Sequence, residues 1–326
     1  MKTKIAVLVF AFLVFLTAHL ADAQQPAKVP RIGVLVSQTA SILAPVMDAL
    51  RHGLRELGYN EGENITFEYR YAEGDINRFP GFVDEMVRLK VDVILAGGGA
   101  PSVLAAKKAT STIPIVFVGA TDPVAAGFVP SLERPGGNVT GLAIGFPGLY
   151  VKRAELLKET IPGLSRVGFL FNSAQSPVGL DELSKATQTL ALQVQPFDVR
   201  SPNDFDSAFE AATKAQVGGL IVANNIPITT SAKRIVELAA KSRLPAIYSD
   251  RFSYDAGGLM AYFPSPTDLY RRCATYIDKI LKGAKPADLP VEQPKKIDLL
   301  INLKAAQQIG LTIPQAVLNR ADQVIR

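Results

Sequence analysis

Residues 91–118 read VDVILAGGGAPSVLAAKKATSTIPIVFV, and this stretch decides the fold class. Val91–Ala96 is a short, β-branched apolar run that ends in three consecutive glycines, the pattern of a buried strand. Pro101 then opens a helical stretch at a position where its missing N–H does no harm. Ile113–Val118 is a second apolar run. Strand, glycine turn, helix and strand make one βαβ unit, whose strands lie parallel and are covered on both faces.

The alternation extends both ways. Upstream lie a strand at Arg31–Ser37, a helix at Ile42–Leu57, a strand at Ile65–Tyr71 and a helix at Phe79–Leu89. Ile42, Val46, Leu50, Leu54 and Leu57 recur at helical spacing and predict one buried face. Downstream, Val139–Ala143 is a fifth strand. The cycle restarts with a helix at Tyr150–Thr160 and strands at Arg166–Phe171, Val194–Val199, Gly219–Ala223 and Leu244–Tyr248. Two such series predict an α/β protein of two doubly wound parallel-sheet lobes. The remaining strand-helix unit (Gly257–Phe263, Thr267–Lys282) is assigned to the first lobe and the last strand (Lys296–Ile301) to the second. Lobe 1 is then 24–145 plus 256–288, and lobe 2 is 146–255 plus 289–326. Three hinge segments join them, near 144–149, 249–256 and 286–296.

The amino terminus predicts export. Lys2 and Lys4 precede an apolar run from Ile5 to Leu16, and Ala21-Asp22-Ala23 places small residues at alternate positions, the layout of a signal peptide (1–23) cleaved after Ala23. The run is too short for a spanning helix of roughly 20 residues. No Cys follows the cleavage region, so a free, non-lipidated periplasmic protein is expected, and a monomer. Cys273 is the single cysteine of the chain, which excludes an intrachain disulfide framework. It falls in an amphipathic stretch and reads as an inert buried thiol. His19 leaves with the signal, so His52 is the one remaining imidazole, on a helix face. A His/Cys zinc site, a Ser-His-Asp triad and a G-x-S-x-G elbow are all missing, and no enzyme is expected. The net charge of +5 is spread along the chain, unlike the clustered basic stripe of a nucleic-acid binder.

In open α/β sheets ligands bind outside the carboxyl ends of the strands. The loops there are Ser37-Gln38 with Thr39 to Ser41, Gly98-Gly99-Ala100 with Ser102, and Thr121-Asp122. All offer backbone N–H groups and hydroxyls at helix starts, where an anion is favoured, although the hydroxyls and Asp122 also read as plain helix caps. The glycine run suits a carboxylate, with phosphate or a structural turn as alternatives. It lacks the spacing of a dinucleotide or Walker loop, and no cofactor is expected. In the second lobe Asn172, Asn224, Tyr248 and Asp250 follow strands. Asp250 suits a ligand ammonium group or a helix cap. Tyr248 suits ring stacking or sheet packing.

Long blocks of the chain, in order, resemble the ABC-transporter substrate-binding proteins of the tryptophan/tyrosine type, with the type I periplasmic-binding fold. They include RIGVL at 31–35, LRELGYNEGENITFEYRYAEGD at 54–75, the stretch quoted first, TDPVAAGFVPSLERPGGNVTGL at 121–142 and AELLKETIPGLSRVGFLFN at 154–172. The resemblance implies two lobes that close on a small-molecule ligand and an ABC permease as partner. It implies that Gly98–Ser102 and Thr121-Asp122 hold a ligand carboxylate, with Asp250 near its amine. Ala100 stands where relatives often carry Thr. Trp is absent, so aromatic recognition would fall to Tyr248, Phe171 or Tyr254. A ligand-sensing module that docks on a membrane receptor without transport is the alternative.

Overall fold

The computed structural model describes residues 28–145, 148–173 and 178–326. The expected signal peptide and its cleavage site lie outside the described residues.

Five parallel strands form the first sheet: β1 (Arg31–Val36), β2 (Thr66–Tyr71), β3 (Val93–Ala96), β4 (Ile115–Ala120) and β5 (Val139–Ala143). Their order is β2-β1-β3-β4-β5. Helices α1 (Ala40–Glu56), α2 (Phe79–Arg88) and α3 (Ala100–Ala109) make the first three crossovers. The second series then runs α4 (Leu149–Thr160), β6 (Arg166–Phe171), α5 (Val178–Leu190), β7 (Gln193–Asp198), α6 (Phe205–Lys214) and β8 (Gly219–Val222). It continues through α7 (Ile226–Thr230), α8 (Ala232–Lys241), β9 (Ala246–Tyr248), α9 (Arg251–Asp255) and β10 (Met260–Pro264). After α10 (Pro266–Leu281) come β11 (Ile297–Asn302), α11 (Leu303–Gln308), α12 (Gln315–Leu318) and β12 (Gln323–Ile325).

The second sheet has the order β12-β11-β10-β9-β8-β6-β7. Strands β10 and β11 pair antiparallel, and the other neighbours pair parallel. Read from the β7 edge, its first five strands repeat the winding of the first sheet. Each sheet is sandwiched between two apolar cores, so the inner strands are buried on both faces, as their apolar runs require, while the edge strands β2, β7 and β12 are half-buried or exposed.

The lobe boundaries need correction. Strand β10 was expected in lobe 1 with the segment 256–288, but it hydrogen-bonds between β9 and β11 in the second sheet. The chain therefore crosses at Ser265, not within 249–256, where α9 lies inside the second lobe. Ser265 N–H donates to the Lys296 carbonyl at 3.0 Å, tying this crossing to the third. The segment 289–292 was expected in lobe 2. It stays on the first sheet instead: Ala143 N–H donates to the Glu292 carbonyl (2.9 Å) and Glu292 N–H to the Gly141 carbonyl (3.1 Å).

Helix α10 returns to the first lobe and lies against α1. Leu269, Tyr270, Cys273, Ile277 and Ile280 share one core with Leu43, Met47, Leu50 and Leu54. The two helices touch at Gly53, where a Cβ would sit 2.7 Å from the Arg271 carbonyl oxygen. This contact rotates the buried face of α1. It is Leu43, Met47, Leu50 and Leu54, whereas Ile42 and Leu57 of the expected face are exposed. Cys273 is fully buried, and burial pushes its thiol up from the ordinary value. His52 is on the exposed side of α1, with Nε2 3.3 Å from Glu56 Oε1. Among the described residues no cluster of His, Cys, Asp and Glu could hold a metal ion, and no helix is long and apolar enough to cross a membrane.

Candidate functional site

The carboxyl ends of both sheets face a cavity of about 210 Å³ beside the crossings. Thr121, Asp122, Ile144 and Gly145 line it from the first lobe and its exit, and Tyr150, Arg153, Glu182, Asn224 and Ser249 from the second. Pro264 and Gln293 add the second and third crossings to its wall. Among the described residues, hydrogen bonds between the lobes are confined to these crossings, which leaves the lobes able to move about them.

Of the residues singled out from sequence, Thr121, Asp122 and Asn224 line this cavity. Asp122 also caps the turn that follows: its Oδ1 accepts from the N–H groups of Val124 (3.1 Å) and Ala125 (2.9 Å). Ser37 and Gln38 end β1 apart from the cavity wall, and Gln38 Oε1 is buried with no hydrogen-bond partner among the described residues. The glycine run is shaped by its neighbours. A Cβ at Gly97 would lie 2.3 Å from Tyr270 Oη, and one at Gly98 would lie 2.6 Å from Phe79 Cζ. Gly99 takes φ 73°, a left-handed conformation that favours glycine. Gly98 N–H donates to Ser102 Oγ (3.1 Å), which donates onward to the Gly99 carbonyl (2.8 Å). Ala100 is exposed at the start of α3. None of these four residues, Gly98, Gly99, Ala100 and Ser102, lines the cavity.

In the second lobe Asn172 is buried at the end of β6 and Tyr248 is buried in the sheet core. The Tyr248 ring packs on Gly258, where a Cβ would be 2.7 Å from Tyr248 Cε2, and burial pushes its phenol up. Asp250 is the N-cap of α9. Oδ1 accepts from Ser253 N–H at 2.8 Å and Oδ2 from Ser253 Oγ at 3.1 Å. Of its two alternatives from sequence, the geometry realises the cap. Burial pushes this carboxyl up from its ordinary value, against the pull of the Ser253 hydrogen bonds.

The cavity residues that sequence reading missed are Tyr150, Arg153, Glu182, Ser249 and Gln293. Arg153 is the outstanding one. It is 2 % exposed, on the inward face of α4 with Leu149, Tyr150, Ala154 and Leu157. Its Nε donates to the Tyr262 carbonyl (2.9 Å), and its guanidinium carbon stands 4.8 Å above the Tyr150 ring centre. Burial pulls its pKa down, yet a guanidinium stays charged. A signal for it existed: Arg153 falls in step with Tyr150, Ala154 and Leu157 on the apolar face of an amphipathic helix. The flanking charges of KRAELLKE disguised it as part of a solvated face. Glu182, from α5, accepts from the N–H groups of Gly148 (3.3 Å) and Tyr150 (3.4 Å), capping α4 from a neighbouring helix.

Residues 31–325 match the family described as ABC transporter substrate binding protein. The chain belongs to this family. It is an extracytoplasmic solute-binding protein of an ABC transporter and not an enzyme. The binding protein is 28% identical to a tyrosine-binding protein of Clostridioides difficile over 289 residues, 86% of this chain and 82% of the relative. It is also similar to the solved ABC domain of Streptococcus pneumoniae in complex with L-Trp, at 29% identity and TM-score 0.82, covering 91% of this chain and 99% of that one. A conserved domain protein from Vibrio cholerae O1 matches equally, at 29% identity and TM-score 0.82, with 91% and 100% covered. The architecture of the binding protein is the type I periplasmic-binding fold, two parallel-sheet lobes with a cleft between them.

Proposed function

We propose that the binding protein is the free periplasmic receptor of an ABC importer, processed after Ala23 and not lipidated. It captures a small amino-acid-like or aromatic carboxylate between its lobes and presents it to the permease. The observation that carries this reading is the cavity lined by both lobes and by the crossings. A ligand there touches Thr121 and Asp122 on one side and Arg153, Asn224 and Ser249 on the other, so it binds the closed arrangement better than the open one and shifts the population toward closure. The polar groups are few and the rest of the wall is apolar (Leu132, Ala143, Ile144, Leu149), which suits a ligand with one charged end and one greasy end. The relatives named for tyrosine and complexed with L-Trp carry ligands of that kind.

The test is a thermal-shift screen of residues 24–326 against aromatic and aliphatic amino acids, aromatic carboxylates, purines and neutral sugars. A ligand at 100 times its Kd adds about 2.7 kcal/mol of stability. A shift with an amino acid or aromatic carboxylate is expected. A shift with neutral solutes alone would overturn the ligand class.

A further inference from the structure

Arg153 is a buried cation without a counter-ion. Its Nε is used on the Tyr262 carbonyl and its guanidinium also hydrogen-bonds the Tyr150 phenol, but neither partner is an anion, and the side chain is buried in the cavity wall. No carboxylate among the described residues comes within the 4.0 Å of an ion pair. The two acids whose charge it feels are occupied elsewhere. Glu182 accepts from the Gly148 and Tyr150 N–H groups, and both oxygens of Asp250 are held by Ser253. Taking a cation out of water without pairing it costs several kcal/mol. A protein that keeps such a group at the floor of its binding cleft has left its partner to be supplied from outside.

We propose that Arg153 is the carboxylate anchor of the cleft, and that the ligand binds with its acid end on the second lobe at the hinge floor. This deepens the functional reading above and rests on it. The position differs from the glycine loop of the first lobe that the resemblance implied. The geometry suits the task. The Nε tether and the Tyr150 side chain hold the guanidinium plane in place, so little freedom is lost when its remaining N–H groups take a carboxylate in charge-assisted hydrogen bonds. Arg153 also stands on α4, directly after the first crossing, and grips Tyr262, two residues before the second crossing ends β10. Filling it with an anion therefore acts at the hinge itself.

The experiment is isothermal titration of residues 24–326 and their Arg153→Lys and Arg153→Met variants. The probes are L-tryptophan, L-tyrosine, indole-3-propionate and L-tryptophanamide. Circular dichroism melts establish which variants fold. In the wild-type protein the acids should bind about 100-fold more tightly than the amide, the measure of one charge-assisted carboxylate contact. Arg153→Met should lose that preference, and Arg153→Lys should keep part of it. If Arg153→Met does not fold, the wild-type preference and the Lys variant decide. Acids that bind to the variants within about 3-fold of wild type, or an amide that binds as well as its acid, overturn the anchor and leave the receptor function standing. If none of the acids binds to the wild-type protein, both readings fall.

Discussion

Asp250 separates a folding role from a binding role, and the structure sizes the difference. In Asp250→Ala the helix α9 loses its N-cap, worth about 1 kcal/mol. Ser253, fully buried, is left with a hydroxyl and an N–H that have lost their acceptor, at about 1–3 kcal/mol for the desolvated groups. The N–H is common to both figures, so the combined loss is about 2–3 kcal/mol. At about 2–4 °C per kcal/mol for a domain of ordinary size, the melting temperature should fall by roughly 5–10 °C. Asp250→Asn keeps a carbonyl oxygen for the Ser253 N–H and should lose much less. It should also change the pH profile. Burial raises the Asp250 carboxyl above 3.8, so the folded protein holds this proton over a range where the unfolded chain has released it. The contribution of Asp250 is therefore complete below 3.8 and is lost as pH rises through the raised value. Asn cannot titrate, so the stability of wild type relative to Asp250→Asn should decline as pH climbs above 3.8. Differential scanning calorimetry at several pH values, with ligand titrations beside it, measures both effects. If Asp250→Ala melts like wild type but loses affinity for an amino acid while keeping it for the deaminated analogue, Asp250 is an ammonium ligand and the capping argument fails.

Two further outcomes follow from packing. Gly145→Ala places a Cβ 1.9 Å from the Thr121 carbonyl oxygen, backbone that cannot swing away. It should lower the urea midpoint by the equivalent of about 1–3 kcal/mol and weaken ligand binding through Thr121, and an unchanged midpoint would contradict the close approach of Gly145 to the Thr121 carbonyl. Cys273, buried between α1 and α10 with its thiol pushed up, should stay unmodified by a thiol reagent in the native protein and react as the chain unfolds. Labelling at the rate of a free thiol under native conditions would contradict this packing.

Periodicity and apolar runs made most of the fold legible. Val139–Ala143 and Arg166–Phe171 are read from sequence with the same bounds as in the structure. What periodicity does not carry is partnership. Gly257–Phe263 looks like any buried strand, and nothing in those residues says that β10 joins β9 and not β4. The five-residue helices α7 and α9 pass unseen because they are too short to show a repeat. The site was legible to the same limit. Strand ends indicated Thr121, Asp122 and Asn224, but the rule that loops bind ligands points away from Arg153, a helical residue one turn beyond a crossing. The glycine run suggested backbone approach to a ligand, whereas the neighbours that demand glycine there are the Tyr270 hydroxyl and the Phe79 ring.

The return of α10 to the first lobe also bears on how the chain is made. The core that buries Val34, Leu43, Met47, Leu50 and Leu54 is completed by Leu269, Tyr270, Cys273, Ile277 and Ile280. A ribosome that has finished β5 has released a sheet with one face only partly covered, by α1. At ordinary synthesis rates of 5–20 residues per second, the missing helix arrives roughly 7–27 s later. Through that interval the newborn first lobe cannot settle into its native packing. A chain exported unfolded must thread the membrane before it folds, and here the long-range packing of one helix keeps the chain loose until most of it has been made.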